Sequence, residues 1–202
     1  MELTYKQVFE NNRLWAAEIK ASDSEFFKKL SREQNPDYLY VGCSDSRVPA
    51  EMFMGAEPGD VFVHRNIANQ VSLTDRNAAG VVHFAVDQLE VKHIVVCGHY
   101  MCGGVQAAME RRKNSPLDPW FDQIREVAAL NRQELEGIHD VGDRYRRLVE
   151  LNVEAQCRNV LKLEVVQEAI RKTGTPTLHA WVFDIHSGKL IDLDFQYELP
   201  SI

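Results

Sequence analysis

The chain has no apolar run approaching the roughly 20 residues that a membrane-spanning helix needs. Its opening stretch, MELTYKQVFENNRLW, is polar and lacks the apolar middle of a secretory signal. These two absences give a cytoplasmic location as the expectation. Basic surplus is missing as well. Lys and Arg number 23 against 30 Asp and Glu, a net charge of −7. That balance argues against a nucleic-acid or anionic-membrane partner, each of which favours a basic surface. No internal repeat, low-complexity tract, G-x-G-x-x-G or P-loop is present, so a nucleotide-binding reading has no fingerprint to stand on. Cysteine is sparse, with Cys43, Cys97, Cys102 and Cys157 the only four. In an intracellular chain of this size such cysteines favour metal or catalytic roles over disulfides.

What is present reads as one α/β domain over residues 1–202, with 1–35 as an N-terminal helical arm. Phe9, Leu14, Trp15 and Ile19 fall near helical spacing, and Phe26, Phe27 and Leu30 follow after Ser22-Asp23, a plausible pair of caps. YLYVGC (Tyr38–Cys43), DVFVH (Asp60–His64) and HIVVC (His93–Cys97) are short apolar runs that read as buried strands. Thr74–Glu90 reads as a helix, with Ala78, Val81, Val82, Ala85 and Leu89 on one face. Another helix opens at Gly103-Gly104 and runs to about Arg112. Helices fill most of 119–134 and 143–172. TLHAWVFDI (Thr177–Ile185) and Leu190–Tyr197 read as a hairpin. Early strand–helix alternation predicts a mostly parallel sheet flanked by helices, with the hairpin adding an antiparallel edge strand.

Three soft-metal ligands fall where strands should end. Cys43 closes the first strand, and His99 and Cys102 follow the third as H-x-x-C. Sites in open α/β sheets form beyond the carboxyl ends of strands, so adjacent strands would bring the three together. Two thiolates and an imidazole suit Zn²⁺. Only three such ligands are evident, and catalytic zinc sites leave one position open whereas structural sites close it. Asp45 is either a fourth ligand or an outer acceptor. Arg47, two residues on, could pair with it in bidentate fashion and hold it off the metal. Gly98 is expected to turn the chain before His99, and Gly103 and Gly104 to let backbone approach closely. Cys97 and Cys157 read as packing residues, Trp15, Trp120 and Trp181 as core or interface, and the ERRK run Glu110–Lys113 as a solvated helix end.

At these residues the sequence resembles the beta-class carbonic anhydrases. The matching blocks are CSDSRVPAE (Cys43–Glu51), EPGDVFVHRNIAN (Glu57–Asn69) and CGHYMCGGV (Cys97–Val105). NNRLW and HAWVFDIHSG also look like bacterial members. The resemblance runs over nearly the whole chain. It implies four parallel strands plus an antiparallel one, one Zn²⁺ per subunit on Cys43, His99 and Cys102, and a homodimer paired into a tetramer. The implied reaction is reversible hydration of carbon dioxide to bicarbonate and a proton, by attack of a zinc-bound hydroxide. Asp45 and Arg47 would orient that nucleophile, with Asp45 able to bind zinc in a closed state. Gln34, Phe62, Ile67, Phe84 and Gly103 match positions lining the carbon dioxide pocket, some reached across a dimer interface.

Thiolates donate more charge than imidazoles, so the bound water should be less acidic than at an all-imidazole site. His64, His83 and His93 have a suitable intrinsic pKa for a proton shuttle but read more readily as structural or exposed. Bicarbonate-regulated members carry a Trp–Arg–Tyr triad. The matching positions here are Tyr40, Arg65 and Phe183, and Phe183 has no hydroxyl to offer an anion. Weak or absent bicarbonate inhibition is therefore expected. Two alternatives stay open: carbon disulfide or carbonyl sulfide hydrolysis on the same site, and a non-catalytic structural zinc protein. The chain ends soon after the last strand, so no long C-terminal extension is expected to lock a particular assembly.

Overall fold

The computed structural model describes residues 3–110 and 115–199. Arg111, Arg112 and Lys113 of the ERRK run lie outside the described residues. The chain divides into two compact units, Met1–Asn35 and Pro36–Ile202. No helix of the described residues is long and apolar enough to cross a membrane.

The first unit holds α1 (Tyr5–Ser22) and α2 (Phe26–Leu30). A capping box starts α1: the Gln7 N–H donates to Thr4 Oγ1 and the Thr4 N–H donates to Gln7 Oε1. Trp15 meets Phe27 edge-on at 5.5 Å. Neither helix buries any residue, and Phe9, Leu14 and Trp15 remain exposed.

The second unit is built on five strands. These are β1 (Tyr38–Cys43), β2 (Val61–Asn66), β3 (His93–His99), β4 (Thr177–Asp184) and β5 (Lys189–Asp192), in the order β2-β1-β3-β4-β5. The β1–β2, β1–β3 and β3–β4 pairs are parallel and β4–β5 is antiparallel, as the sequence pattern predicted. Strand β1 has the expected bounds because its apolar run is continuous and enclosed on both sides. The strand expected at Asp60–His64 instead ends at Asn66, and β5 is half the expected length.

Helices α4 (Arg76–Asp87), α5 (Gly103–Glu110), α6 (Asp118–Leu130), α7 (Arg132–Gly137), α8 (Val141–Leu161) and α9 (Glu164–Thr173) contribute to the larger core. There Leu39, Val41, Ile94, Val96, Ala180 and Val182 from the sheet meet Val82, Ile124, Leu148, Val153, Cys157 and Val160. A smaller cluster on the other face gathers Tyr40, Val95, Cys97 and Phe183 against Phe53 and Met54 of α3 (Ala50–Met54). Cys97 and Cys157 are therefore core residues, as expected.

Candidate metal centre and its carboxylate

Central strands β1 and β3 lie side by side, with Gly42 in register with Cys97. Their carboxyl ends thus deliver Cys43 and His99 to one place, and a short turn brings Cys102 back to them. Among the described residues, these three form the one group of His, Cys and acidic side chains suited to a metal ion. All are buried, and their ligand atoms lie within 4.8 Å of one another.

The donor atoms fit zinc. Cys43 Sγ and Cys102 Sγ are 3.9 Å apart and both cysteines are free. Tetrahedral Zn–S bonds of about 2.3 Å place two sulfurs roughly 3.8 Å apart. His99 Nδ1 lies 2.9 Å from the Tyr100 carbonyl, which can only accept, so Nδ1 carries the proton. That leaves Nε2 as a bare lone pair, fully buried and without a hydrogen-bond partner. An orphaned acceptor in the interior is costly unless something electropositive meets it. A hydrogen bond from Cys102 lowers the pKa of the Cys43 thiol against the opposing effect of burial, helped by the Ala68 N–H. Cys102 is pushed up by Cys43 beside it and by burial. One thiolate forms readily, and the second requires a cation between the sulfurs.

Asp45 stands at the rim. Arg47 donates to it from Nε at 2.9 Å and from Nη2 at 2.7 Å, and the Arg47 backbone N–H adds a third bond at 3.0 Å. This fork holds the Asp45 carboxyl down to about 2, chiefly through the Arg47 side-chain bonds. Its Oδ2 is 3.7 Å from His99 Nε2, close enough to face whatever sits on that nitrogen. Arg47 Nη2 also reaches the Met101 carbonyl at 3.2 Å, tying the Asp45 loop to the Cys102 turn.

Three features of the surrounding frame escaped the sequence. Arg65 on β2 donates to the carbonyls of Cys43 (2.9 Å), Asp45 (3.0 Å) and Val48 (2.6 Å), stapling the whole C-x-D-x-R loop. Tyr145 on α8 donates to the Cys102 carbonyl at 2.6 Å. The 3-10 turn Ile67–Asn69 sends the Ala68 N–H to Cys43 Sγ at 3.4 Å. Ala68 (φ 61), Asn69 (φ 50) and Met101 (φ 62) all occupy the left-handed region. Such residues cost on the order of 1 kcal/mol each and persist only where surroundings hold them.

Two glycine expectations need correction. Gly98 lies within β3, and a Cβ there would come 2.5 Å from Val153, so its role is to admit α8 against the strand. Gly103 faces open space, whereas a Cβ on Gly104 would lie 2.8 Å from Ile67. Close approach therefore depends on Gly104 alone.

Of the expected pocket residues, Ile67 and Gly103 sit beside the ligand turns. Phe62 is in register with Leu39, four residues down β1 from Cys43, or about 13 Å at the rise of a strand. It stacks on Phe84 at 5.8 Å, and Phe84 is largely exposed. Gln34 is exposed within the N-terminal unit. Among the histidines, His83 is exposed and His93 pairs with His179 at 3.1 Å under Tyr38. His64 lies 3.3 Å from the Asn66 amide, and burial lowers its pKa. Phe183 stacks on Phe53 at 4.7 Å, and Tyr40 is fully buried with its ring over Gly42. Trp120 anchors the Ile67 carbonyl at 2.9 Å, a structural role.

A sheet that presents two sulfurs, a bare imidazole nitrogen and a pinned carboxylate at its carboxyl edge defines a zinc enzyme of the α/β class. The family model for carbonic anhydrase matches residues 38–190. A carbonic anhydrase of Emericella nidulans is 51% identical over 197 residues, spanning 98% of this chain and 86% of that protein. A tetrameric beta-carbonic anhydrase of Sordaria macrospora superposes with a TM-score of 0.90 at 41% identity, covering 96% of this chain and 98% of that one. The beta-carbonic anhydrase CafA of Aspergillus fumigatus gives 0.91 at 37% identity, over 96% and 92%. The chain belongs to the carbonic anhydrase family, in its beta class. Zinc is the metal of that class, and hydration of carbon dioxide is its reaction.

Proposed function

We propose that Cys43, His99 and Cys102 are the zinc ligands and that Asp45 and Arg47 form the working pair for carbon dioxide hydration. The observation that carries this reading is the bare, buried Nε2 of His99 beside two sulfurs 3.9 Å apart. Zinc, when bound, supplies a Lewis acid that makes water nucleophilic near neutral pH. The two thiolates balance its charge, and the Tyr100 carbonyl fixes the tautomer that leaves His99 Nε2 free to ligate. Asp45 is ionised at working pH and can only accept a hydrogen bond. It accepts a hydrogen bond from the attacking oxygen and so turns a lone pair toward carbon. Arg47 occupies both carboxylate oxygens and keeps Asp45 out of the ligand set, which favours an open site over a closed one. Ile67 and Gly103 flank the entry for an apolar gas. Phe62, Phe84 and Gln34 complete the pocket through a second copy of the chain, as part of a dimer paired into a tetramer.

Two observations support that assembly: the tetrameric Sordaria relative, and helices α1 and α2, which bury no residue and of which α1 exposes Tyr5, Phe9 and Trp15. Residues 1–202 act as one catalytic domain with a helical arm, and the location proposed is cytoplasmic. The bland rival, a structural zinc protein, has no use for a carboxylate locked by a guanidinium 3.7 Å from a ligand nitrogen. The test is stopped-flow carbon dioxide hydration with metal content measured on the same samples. Asp45→Asn should retain zinc and lose about a hundredfold or more in kcat/KM, the usual worth of one preorganised hydrogen-bonding group in an active site. Full activity in Asp45→Asn would overturn the assignment, and wild-type turnover of carbonyl sulfide far above that of carbon dioxide would replace the substrate.

A further inference from the structure

Helix α8 carries a stripe of polar residues on the face turned to the site: Tyr145, Asn152, Gln156 and Asn159, spaced by seven, four and three residues. Spacings of this kind place side chains along one side of a helix. Asn152 and Gln156 are each 1% exposed, unusual for amides unless their hydrogen bonds are all used. Their bonds converge on the left-handed turn beside Cys43. Asn152 Nδ2 donates to the Ala68 carbonyl at 3.1 Å, and Gln70 Nε2 donates to the same oxygen at 2.7 Å. Asn152 Oδ1 accepts from Gln70 Nε2 at 2.9 Å and from Gln156 Nε2 at 3.2 Å. Gln156 Oε1 accepts the Val71 N–H at 2.9 Å, and Asn159 Nδ2 donates to the Val71 carbonyl at 3.0 Å. These partners fix which end of each amide is nitrogen. The turn so gripped holds two consecutive non-glycine residues at positive φ, Ala68 and Asn69. Its product is a single N–H, that of Ala68, delivered to Cys43 Sγ at 3.4 Å.

We propose that Asn152, backed by Gln156, is a positioning residue for the metal: it locks the left-handed Ala68 turn so that the Ala68 N–H donates to Cys43 Sγ and orients that sulfur toward Cys102 and His99. The inference rests on the ligand set proposed above. Its physical basis is that a backbone forced out of its preferred region relaxes when its clamp is removed. An N–H···S bond draws charge from the sulfur, so its loss changes both orientation and donor strength. Outer partners of this kind are worth about ten- to a hundredfold in metal affinity. Sequence alone would read Asn152 and Gln156 as the wet side of α8.

The test compares wild type, Asn152→Leu, Gln156→Met and Val160→Ala. Zinc affinity is measured by chelator competition, and the cobalt(II)-loaded proteins are scanned for the sulfur-to-cobalt charge-transfer band. Asn152→Leu should bind zinc about tenfold more weakly, with the band at lower energy because the sulfur has lost its N–H. Gln156→Met should move both readouts the same way by less, and it serves if Asn152→Leu fails to fold. Val160→Ala removes buried volume on α8 from a side chain that makes no hydrogen bond to the turn, so it should lose thermal stability with neither readout changed. A wild-type band and affinity in the folded amide variants would overturn the clamp, as would an equal shift in Val160→Ala. Wild-type protein that takes up no zinc would instead overturn the ligand set, so the two failures are distinguishable.

Discussion

Cys43, His99 and Cys102 are 5%, 0% and 1% exposed, whereas the side chain of Asp45 is 15% exposed and that of Arg47 48%. The inner half of the site is made by the core. Its three proposed ligands sit at or just beyond the ends of the two central strands, and their backbones are held from β2 by Arg65 and from α8 by Tyr145. The outer half is made by one loop and closes on itself through a two-residue fork. Burial suits atoms that must grip a cation in a low dielectric, where an exposed pair would gain little. Partial exposure suits a carboxylate that must meet water and substrate and stay charged. Under the proposed function, metal affinity falls to the inner residues and rate to the outer pair.

That division can be broken by experiment. The largest effect should come from the inner half. His99→Ala removes the one nitrogen donor, and zinc affinity measured by chelator competition should fall by about a thousandfold or more. Wild-type affinity in that variant would place the metal elsewhere. Next comes Asp45→Asn, whose loss should be in turnover with zinc retained; loss of zinc from Asp45→Asn would erase the distinction between the halves. The smallest effect belongs to bicarbonate. With Phe183 stacked on Phe53 and the Arg65 side chain bonded to three carbonyls, little remains to receive a second anion. Initial rates should show no cooperative inhibition as bicarbonate rises. Sigmoidal inhibition would show that Tyr40 and Arg65 suffice without a hydroxyl at Phe183.

The inner half was the more legible in the sequence. Cys43 and the His99-x-x-Cys102 pair announce themselves by residue type and by ending apolar runs, and parallel strand order does the rest. Asp45 and Arg47 were legible because a fork needs only two residues of short separation. What supports them was hidden for physical reasons. Asn152, Gln156 and Asn159 have the spacing of an ordinary polar helix face, and only tertiary packing turns that face inward. The left-handed Ala68 and Asn69 carry no glycine to mark them. Helix α3 is five residues long, too short to show a period. Helices were expected over most of 143–172, and the extended conformation of Leu163 divides that stretch into α8 and α9. Gly98 was misread as a turn glycine because a strand glycine that admits a helix looks the same in one dimension.

The most direct measurement is a crystal structure of the zinc-loaded protein at pH 8, with the metal located by its anomalous signal. The peak should lie about 2.3 Å from Cys43 Sγ and Cys102 Sγ and about 2.0 Å from His99 Nε2, with Asp45 still forked to Arg47. A peak away from these three atoms, or an Asp45 carboxylate bound to the metal at that pH, would contradict the account.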